Sequence, residues 1–158
     1  DDVDPATRAA TDEAAKETLL ALAELRELAQ GIHPAILTEQ GLHAAVEMLA
    51  ERAPVAVAVD VPTDRYSPSV EATIYFVVSE ALSNVAKHAG ATKVTVRGRA
   101  DGDELVVDIE DDGQGGATAR GGSGLRGLHD RVAALGGRLE IRSPVGEGTL
   151  LRITLPYS

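Results

Sequence analysis

The chain of 158 residues has no cysteine and no tryptophan, and aromatic residues make up only 3% of it. Without cysteine there is neither a disulfide framework nor a thiolate metal site, which is compatible with a reducing compartment. No apolar run approaches the roughly 20 residues that a membrane-spanning helix needs. The chain must therefore fold around an ordinary hydrophobic core.

Positive charge is also scarce, since 15 Lys and Arg face 25 Asp and Glu for a formal net charge of −10. This balance argues against direct binding of nucleic acid, which depends on clustered cations that neutralise phosphates. The apolar fraction of 44% is enough for one core with a short appendage. Because the chain opens with Asp1-Asp2-Val3-Asp4 and shows no signal-peptide pattern, we expect it to be a piece of a longer protein.

The first predicted element is a helix from about Pro5 to Gly31. A narrow apolar stripe on this helix is typical of a helix that packs against a partner helix. The alternatives are a terminal helix packed on its own domain and one helix of a helical dimer. Gly31 and Pro34 are typical stop signals for this helix. The stripe consists of Leu19, Leu22, Leu25, Leu28 and Ile32.

Downstream, helices alternate with pairs of strands. Two-residue alternation, caps and glycine turns predict this order, including two hairpins and a glycine-rich loop over residues 113–124. The pattern favours an α+β fold, a two-layer α/β sandwich in which helices cover one face of a mixed sheet. The predicted elements are a helix over Gly41–Arg52, a strand over Val55–Val61, a helix from Pro68, capped by Ser67, to about Lys87, strands over Thr92–Arg99 and Glu104–Glu110, a helix over Leu125–Leu135, and strands over Arg138–Ser143 and Thr149–Leu155.

Chemically active side chains share one face of the long helix. At about 100° per residue, Glu80, Asn84 and Lys87 fall within about 60° of one another, and His88 lies at their edge. A carboxylate and an amide one turn apart can share a hydrated Mg²⁺ ion, and Lys87 adds a charge for phosphate. The alternative is a solvated polar face of an amphipathic helix.

A second feature is Asp111, which follows the alternating strand residues Leu105, Val107 and Ile109 and precedes Gly113 and Gly115. A carboxylate at a strand end can accept a hydrogen bond from a purine amine, and the glycines leave room for the ring. A plain Asp-Gly turn is the alternative. A calcium loop starting at Asp108 is excluded, because its twelfth position is Ala119 instead of a bidentate Glu.

The third feature, Gly122-Ser123-Gly124-Leu125-Arg126-Gly127, matches a dinucleotide-binding fingerprint. That fingerprint must directly follow a strand, and here a glycine-rich loop precedes it. The amides at the start of a helix can nevertheless attract phosphate. Together the three features predict a nucleotide pocket.

The three segments resemble the boxes of the GHKL ATPases, the superfamily of gyrase, heat-shock chaperone, histidine kinase and mismatch-repair ATPases. Residues 80–88 resemble the N box, residues 111–115 the G1 box and residues 122–127 the G2 box. The Lys87-His88-Ala89 ending and residues 128–137 look most like sensor histidine kinases that pair with NarL-type response regulators. Residues 31–42 resemble the exit from their dimerisation helices.

The resemblance implies a Bergerat-type ATP-binding fold and a role for each matching position. Asp111 would read the adenine amine, Asn84 would coordinate Mg²⁺, and Lys87 and His88 would lie near the phosphates. Glu80 would help to place the metal or, as in hydrolysing members, activate water. Asp112 stands where Asn is frequent and would add negative charge near the pocket. The remaining nucleotide-binding positions would be Gly113, Gly115, Gly122, Gly124, Leu125, Gly127 and Thr149.

A histidine kinase also needs an acceptor His followed by an acid on its first dimerisation helix. Only His129-Asp130 copies this pattern among His33, His43, His88 and His129, and it lies on the helix after the G2 box. We therefore expect the acceptor outside this chain, residues 1–40 to be the end of a dimerisation region, and residues 41–158 to be the catalytic domain.

The resemblance thus implies a cytoplasmic ATP-dependent protein-histidine kinase fragment that uses ATP and Mg²⁺. Its partners would be the upstream domain of a homodimeric protein and a NarL-type regulator. The alternatives are a hydrolysing GHKL ATPase and a nucleotide-binding regulatory module of the anti-sigma type.

Overall fold

Five strands form one mixed sheet in the order β1-β2-β3-β5-β4 in the computed structural model, which describes residues 35–117 and 123–157. The first two strands are parallel and all other neighbours are antiparallel. The helix predicted over Pro5–Gly31 lies outside the described residues. The elements are α1 (Ala35–Glu51), β1 (Ala56–Asp60), α2 (Pro68–Asn84) with a π-helical turn (Val85–Ala89), β2 (Lys93–Asp101), β3 (Glu104–Asp111), α3 (Ser123–Ala134), β4 (Arg138–Arg142) and β5 (Thr149–Pro156).

The helices pack on one face of this sheet, as the sequence predicted. Alternate side chains of the strands, such as Val94 on β2 and Ile153 on β5, are fully buried in a core that also contains Ile74 and Val78 of α2. Full burial of each such side chain contributes about 1.5–3 kcal/mol. The predicted two-layer architecture is therefore confirmed, and it leaves one sheet face to polar side chains.

Charged side chains cover the opposite face of the sheet. Asp108 of β3 pairs directly with Arg152 of β5, whose guanidinium group donates to both carboxylate oxygens at 2.6 and 2.8 Å. These hydrogen bonds hold the pKa of Asp108 below its usual value, and Arg99 contributes to the same effect.

The structure has one more helical segment than predicted here, because residues 35–40, before the predicted helix, are also helical and α1 begins at Ala35. Gly41 interrupts it with a non-helical backbone (φ 85°, ψ −174°). A side chain there would be strained by the positive φ, and its Cβ would lie only 2.9 Å from Cδ of Arg65. Gly41 is thus the kink between two helical segments, and the second segment corresponds to the helix predicted over Gly41–Arg52.

The long helix α2 begins at Pro68 after Ser67, as predicted, but the Ser67 side chain makes no capping hydrogen bond. The carboxylate of Glu71 instead accepts the Tyr66 N–H at 3.0 Å. At its other end, the α-helix stops at Asn84 and the chain makes the π-helical turn before Gly90 (φ 58°). The predicted helix end near Lys87 therefore lies in this π-helical turn, which is wider than the α-helical turn that the prediction assumed.

The two predicted hairpins are both present. Asp101 pairs with Glu104 across a two-residue turn that contains Gly102 at φ 59°, as a tight hairpin turn requires. β4 pairs with β5 across the second turn. Together with α2, these hairpins bring the predicted site residues to one end of the sheet.

Candidate functional site

One cleft of about 480 Å³ lies beside the carboxyl end of α2, the end of β3 and the start of α3. It gathers residues from all three of the sequence segments that were expected to form a pocket. Its lining residues are Glu80, Ala81, Asn84, Val85, His88, Ala89, Ile109, Asp111, Gln114, Gly115, Gly116, Ala117, Gly124, Leu125, Ile141, Thr149 and Leu151.

Asp111 occupies the end of β3, where it pairs with Val94 of β2 on one side and Thr149 of β5 on the other. Its Oδ1 accepts the Gly113 N–H at 2.9 Å. Within the described part of the chain, Oδ2 has no hydrogen-bond donor, so it can accept one from a ligand in the cleft. Because Asp111 is paired with a strand on each side, the position of its backbone, and so of this acceptor, is fixed.

Apolar side chains form the wall next to this carboxylate. Ile109, Ile141 and Leu151 come from three neighbouring strands, and Ala81 and Val85 come from α2. Such a wall suits a flat, weakly polar ring whose edge carries one donor for Asp111. The sequence analysis missed these lining residues because their alternation indicates only that they face the core.

The segment after Asp111 is held by backbone hydrogen bonds to the π-helical turn on one side and to the loop between β4 and β5 on the other. Gln114 donates its backbone N–H to the Ala89 carbonyl at 2.8 Å and accepts the Gly146 N–H at 2.7 Å, while Gly116 N–H donates to the Ser143 carbonyl at 2.9 Å. Gly115 has φ 63°, and a methyl group on it would overlap the carbonyl oxygen of Pro144. A glycine is therefore required here for both backbone conformation and space.

Thr149 lines the cleft, and its hydroxyl group is paired with that of Ser143, which the sequence did not indicate. Its Oγ1 lies 2.9 Å from Oγ of Ser143, and Oγ of Ser143 also accepts the Ala117 N–H at 3.0 Å. Ser143 thus connects the last strand to the loop.

Asp112, which was expected to add negative charge near the pocket, is adjacent to Asp111 but does not itself line the cleft. Its carboxylate accepts hydrogen bonds from the Thr92 hydroxyl at 2.7 Å and from the backbone N–H groups of Thr92 and Lys93 at 2.8 and 2.9 Å. These bonds, the Thr92 hydroxyl first, lower the pKa of Asp112 to about 2. The residue therefore fastens the start of β2 to the end of β3.

The α2 face of the cleft carries Glu80, Asn84 and His88, but Lys87 is exposed and does not line it. The expectation for Lys87 assumed α-helical rotation up to that residue. A π-helical turn contains an extra residue, so positions four apart (80, 84 and 88) stay aligned while position 87 rotates away. The structure thus brings together three of these four predicted side chains.

The glycines of the third segment fall in different places. Gly124 and Leu125 line the cleft, and a methyl group on Gly124 would overlap Oε1 of Glu80. Gly127 is exposed and does not line the cleft. Gly113, in the second segment, is buried and does not line it either. Gly122 lies outside the described residues.

No cluster of three or more His, Asp or Glu side chains that could hold a metal occurs within residues 35–117 and 123–157. Glu80 and Asn84, one helical turn apart on α2, nevertheless both line the cleft, and their side chains carry oxygen donors. This donor set suits Mg²⁺, which keeps several waters and takes further ligands from substrate phosphates.

Within residues 35–117 and 123–157, no helix combines the length and apolar character needed to cross a membrane.

A family model described as histidine kinase-, DNA gyrase B- and HSP90-like ATPase matches residues 69–158. The chain is 34% identical over 150 residues to the sensor histidine kinase MctS of Rhizobium johnstonii, covering 87% of this chain and 32% of that protein. It is 40% identical over 92 residues to the signal transduction histidine-protein kinase/phosphatase UhpB of Salmonella typhimurium, covering 57% of this chain and 18% of that protein. The chain thus spans a third or less of the length of these curated relatives.

Among solved structures, the histidine kinase domain of a blue-light activated histidine kinase from Erythrobacter litoralis superposes with a TM-score of 0.61 and 27% identity. The match covers 73% of this chain and 57% of that chain. The matched family region contains α2, the π-helical turn and all the cleft residues.

Proposed function

Since the chain belongs to the histidine kinase-, DNA gyrase B- and HSP90-like ATPase family, we propose that it is the ATP-binding catalytic domain of a sensor histidine kinase. Its task is to hold MgATP while the γ-phosphoryl group passes to a histidine outside this chain. The placement of Asp111 carries this proposal, because Oδ2 accepts no hydrogen bond from the described residues and Asp111 lines the same cleft as Glu80, Asn84 and the apolar strand residues.

In the proposed complex, Asp111 accepts a hydrogen bond from the adenine amine, and the ring lies against Ile109, Ile141 and Leu151. His88 and the start of α3 then face the phosphates. Asn84, with Glu80, would hold the Mg²⁺ ion, which would supply positive charge next to the phosphates. Catalysis consists mostly of positioning and charge neutralisation.

The γ-phosphoryl group is transferred from ATP to an imidazole nitrogen of the acceptor histidine, which leaves ADP and releases the imidazole proton. A response-regulator aspartate receives the group next, and a NarL-type regulator is the proposed partner. The proposed setting is a cytoplasmic domain of a homodimer. Similarity to two proteins named as histidine kinases supports this reading over an ATP-hydrolysing enzyme or a regulatory module.

Calorimetric titration with MgATP tests the nucleotide site. Asp111→Ala should weaken binding roughly 10- to 100-fold, the usual cost of a hydrogen bond to a charged group. Asp103→Ala, which removes the same charge from an exposed turn, should bind as the unmodified chain does. Absent binding, or equal binding by the Asp111 variant, would contradict the proposal.

A second assay addresses the reaction. With radiolabelled ATP, this chain alone should acquire no stoichiometric acid-labile phosphate, because His129 lies exposed on α3 and does not line the cleft. Steady ATP turnover that disappears in Glu80→Gln would instead indicate a hydrolysing enzyme.

A further inference from the structure

The end of α2 presents backbone carbonyl groups that the helix itself cannot satisfy. Two of them belong to His88 and Ala89 in the π-helical turn. Both receive hydrogen bonds from Gln114, the first from the side-chain Nε2 at 2.6 Å and the second from the backbone N–H at 2.8 Å. A residue 26 positions away in sequence from His88 therefore caps this helix end.

The same residue also contacts the turn between β4 and β5. The Gln114 carbonyl accepts the Gly146 N–H at 2.7 Å, in the turn between β4 and β5. Gln114 itself lines the cleft, as Thr149 does at the start of β5. It thus connects the π-helical turn to the turn between β4 and β5, two segments that are far apart in sequence.

Asp111 and His88 are held by different means. Strand pairing on both sides fixes Asp111, whereas His88 belongs to a short π-helical turn. A shift of that turn would move His88 without moving Asp111. The Gln114 side chain is the described hydrogen-bonding link that opposes such a shift at the His88 carbonyl.

We propose that Gln114 is a positioning residue of the nucleotide site, which holds His88 at a fixed place relative to Asp111. This proposal rests on the proposed function, in which Asp111 binds adenine and the α2 end faces the phosphates. Removing the Nε2 donor should therefore weaken the binding of phosphate-bearing nucleotides and spare the binding of the nucleoside.

The test uses Gln114→Met, which keeps the length of the side chain and removes its donor. The backbone hydrogen bonds of Gln114 remain in this variant. Because Gln114 is exposed, water can donate a hydrogen bond to the His88 carbonyl in place of Nε2, so the fold should persist. The matched control is Gln40→Met, which makes the same exchange at an exposed position of α1. Thermal unfolding of both variants verifies that they fold.

Affinities for MgADP and for adenosine are then measured by calorimetry, with competition for the weaker ligand. Gln114→Met should bind MgADP roughly five- to tenfold more weakly, as expected for the loss of about one hydrogen bond, and adenosine unchanged. Gln40→Met should bind both as the unmodified chain does. Equal MgADP affinity in all three proteins, or an equal loss for both ligands in Gln114→Met, would overturn the positioning role.

Failure of the two proposals can be told apart. If the unmodified chain binds neither ligand, the proposed nucleotide site is wrong. If it binds both and Gln114→Met shows no selective loss for MgADP, only the role of Gln114 is wrong.

Discussion

The buried carboxylate of Glu71 is held by the guanidinium group of Arg65, with Nε 2.9 Å from Oε1 and Nη2 3.2 Å from Oε2. Glu71 is 1% exposed, whereas the Arg65 side chain is 53% exposed. Arg65 also donates to the Leu37 carbonyl at 3.0 Å. This pair joins α1, the loop after β1 and the start of α2, and it raises the pKa of Arg65, first through the hydrogen bond with Glu71.

The first prediction is that Glu71→Ala lowers the free energy of unfolding by about 3 kcal/mol. The substitution leaves a cavity and removes the acceptor for both Arg65 and the Tyr66 N–H. Urea denaturation measures the change. Glu47→Ala removes an exposed glutamate from α1 and should change stability by less than about 0.5 kcal/mol. Equal losses of unfolding free energy in the two variants would show that the buried Glu71–Arg65 pair contributes no more to stability than an exposed glutamate does.

The second prediction concerns acid unfolding. The pKa of Asp112 is about 2 in the folded chain, below the usual value of about 3.9 that applies to the unfolded chain. The unfolded chain therefore binds the proton more readily in acid. The stabilising contribution is complete above about pH 4 and is lost as the pH falls toward about 2. Asp108, whose pKa is also lowered, acts in the same direction.

Urea denaturation at a series of pH values measures this contribution. Asp112→Asn should be less stable than the unmodified chain at neutral pH, because it loses the charged acceptor for Thr92 and Lys93. It should also lose less stability between about pH 4 and about pH 2. Parallel pH profiles for the two proteins would contradict the assignment.

The third prediction separates steric overlap from backbone strain at glycine. Gly115 and Gly102 have similar positive φ values, 63° and 59°, but only Gly115 has a neighbour, the Pro144 carbonyl, in the place of a methyl group. Alanine at either position is strained by about 1 kcal/mol. Gly115→Ala should in addition displace the loop and weaken MgATP binding, whereas Gly102→Ala should leave binding unchanged. Calorimetry that finds both variants unaffected would show that the loop relaxes at no cost.

The fourth prediction compares two adjacent side chains of the π-helical turn. His88 lines the cleft and Lys87 does not, so His88→Ala should weaken MgATP binding roughly tenfold. Lys87→Ala should have an effect of less than about fivefold that fades with added salt, as for other exposed charges. A larger effect for Lys87 at high salt would mean that its side chain turns into the cleft when the nucleotide binds.

The sequence predicted the strands and hairpins well, because their residues alternate between the core and the charged face. Val94, Ile109 and Ile153 all follow this rule. Helix ends were harder to predict. A helical segment does follow Gly41, as predicted, but the helical residues 35–40 and the kink that joins the two segments at Gly41 were not predicted. The kink brings Gly41 against the Arg65 side chain, a tertiary contact that no local pattern records.

The order and spacing of Glu80, Asn84, Asp111 and the glycines, together with the family resemblance, determined that this chain has a nucleotide pocket of the GHKL type. Each segment carries its own local pattern, and the resemblance of the three ordered segments to the GHKL boxes implies the type of pocket. The tertiary structure alone decided that Asp112 turns to Thr92, that His88 replaces Lys87 on the cleft wall, and that Gln114 caps α2. These outcomes depend on a change of helical pitch and on hydrogen bonds between residues far apart in sequence, which no local pattern records.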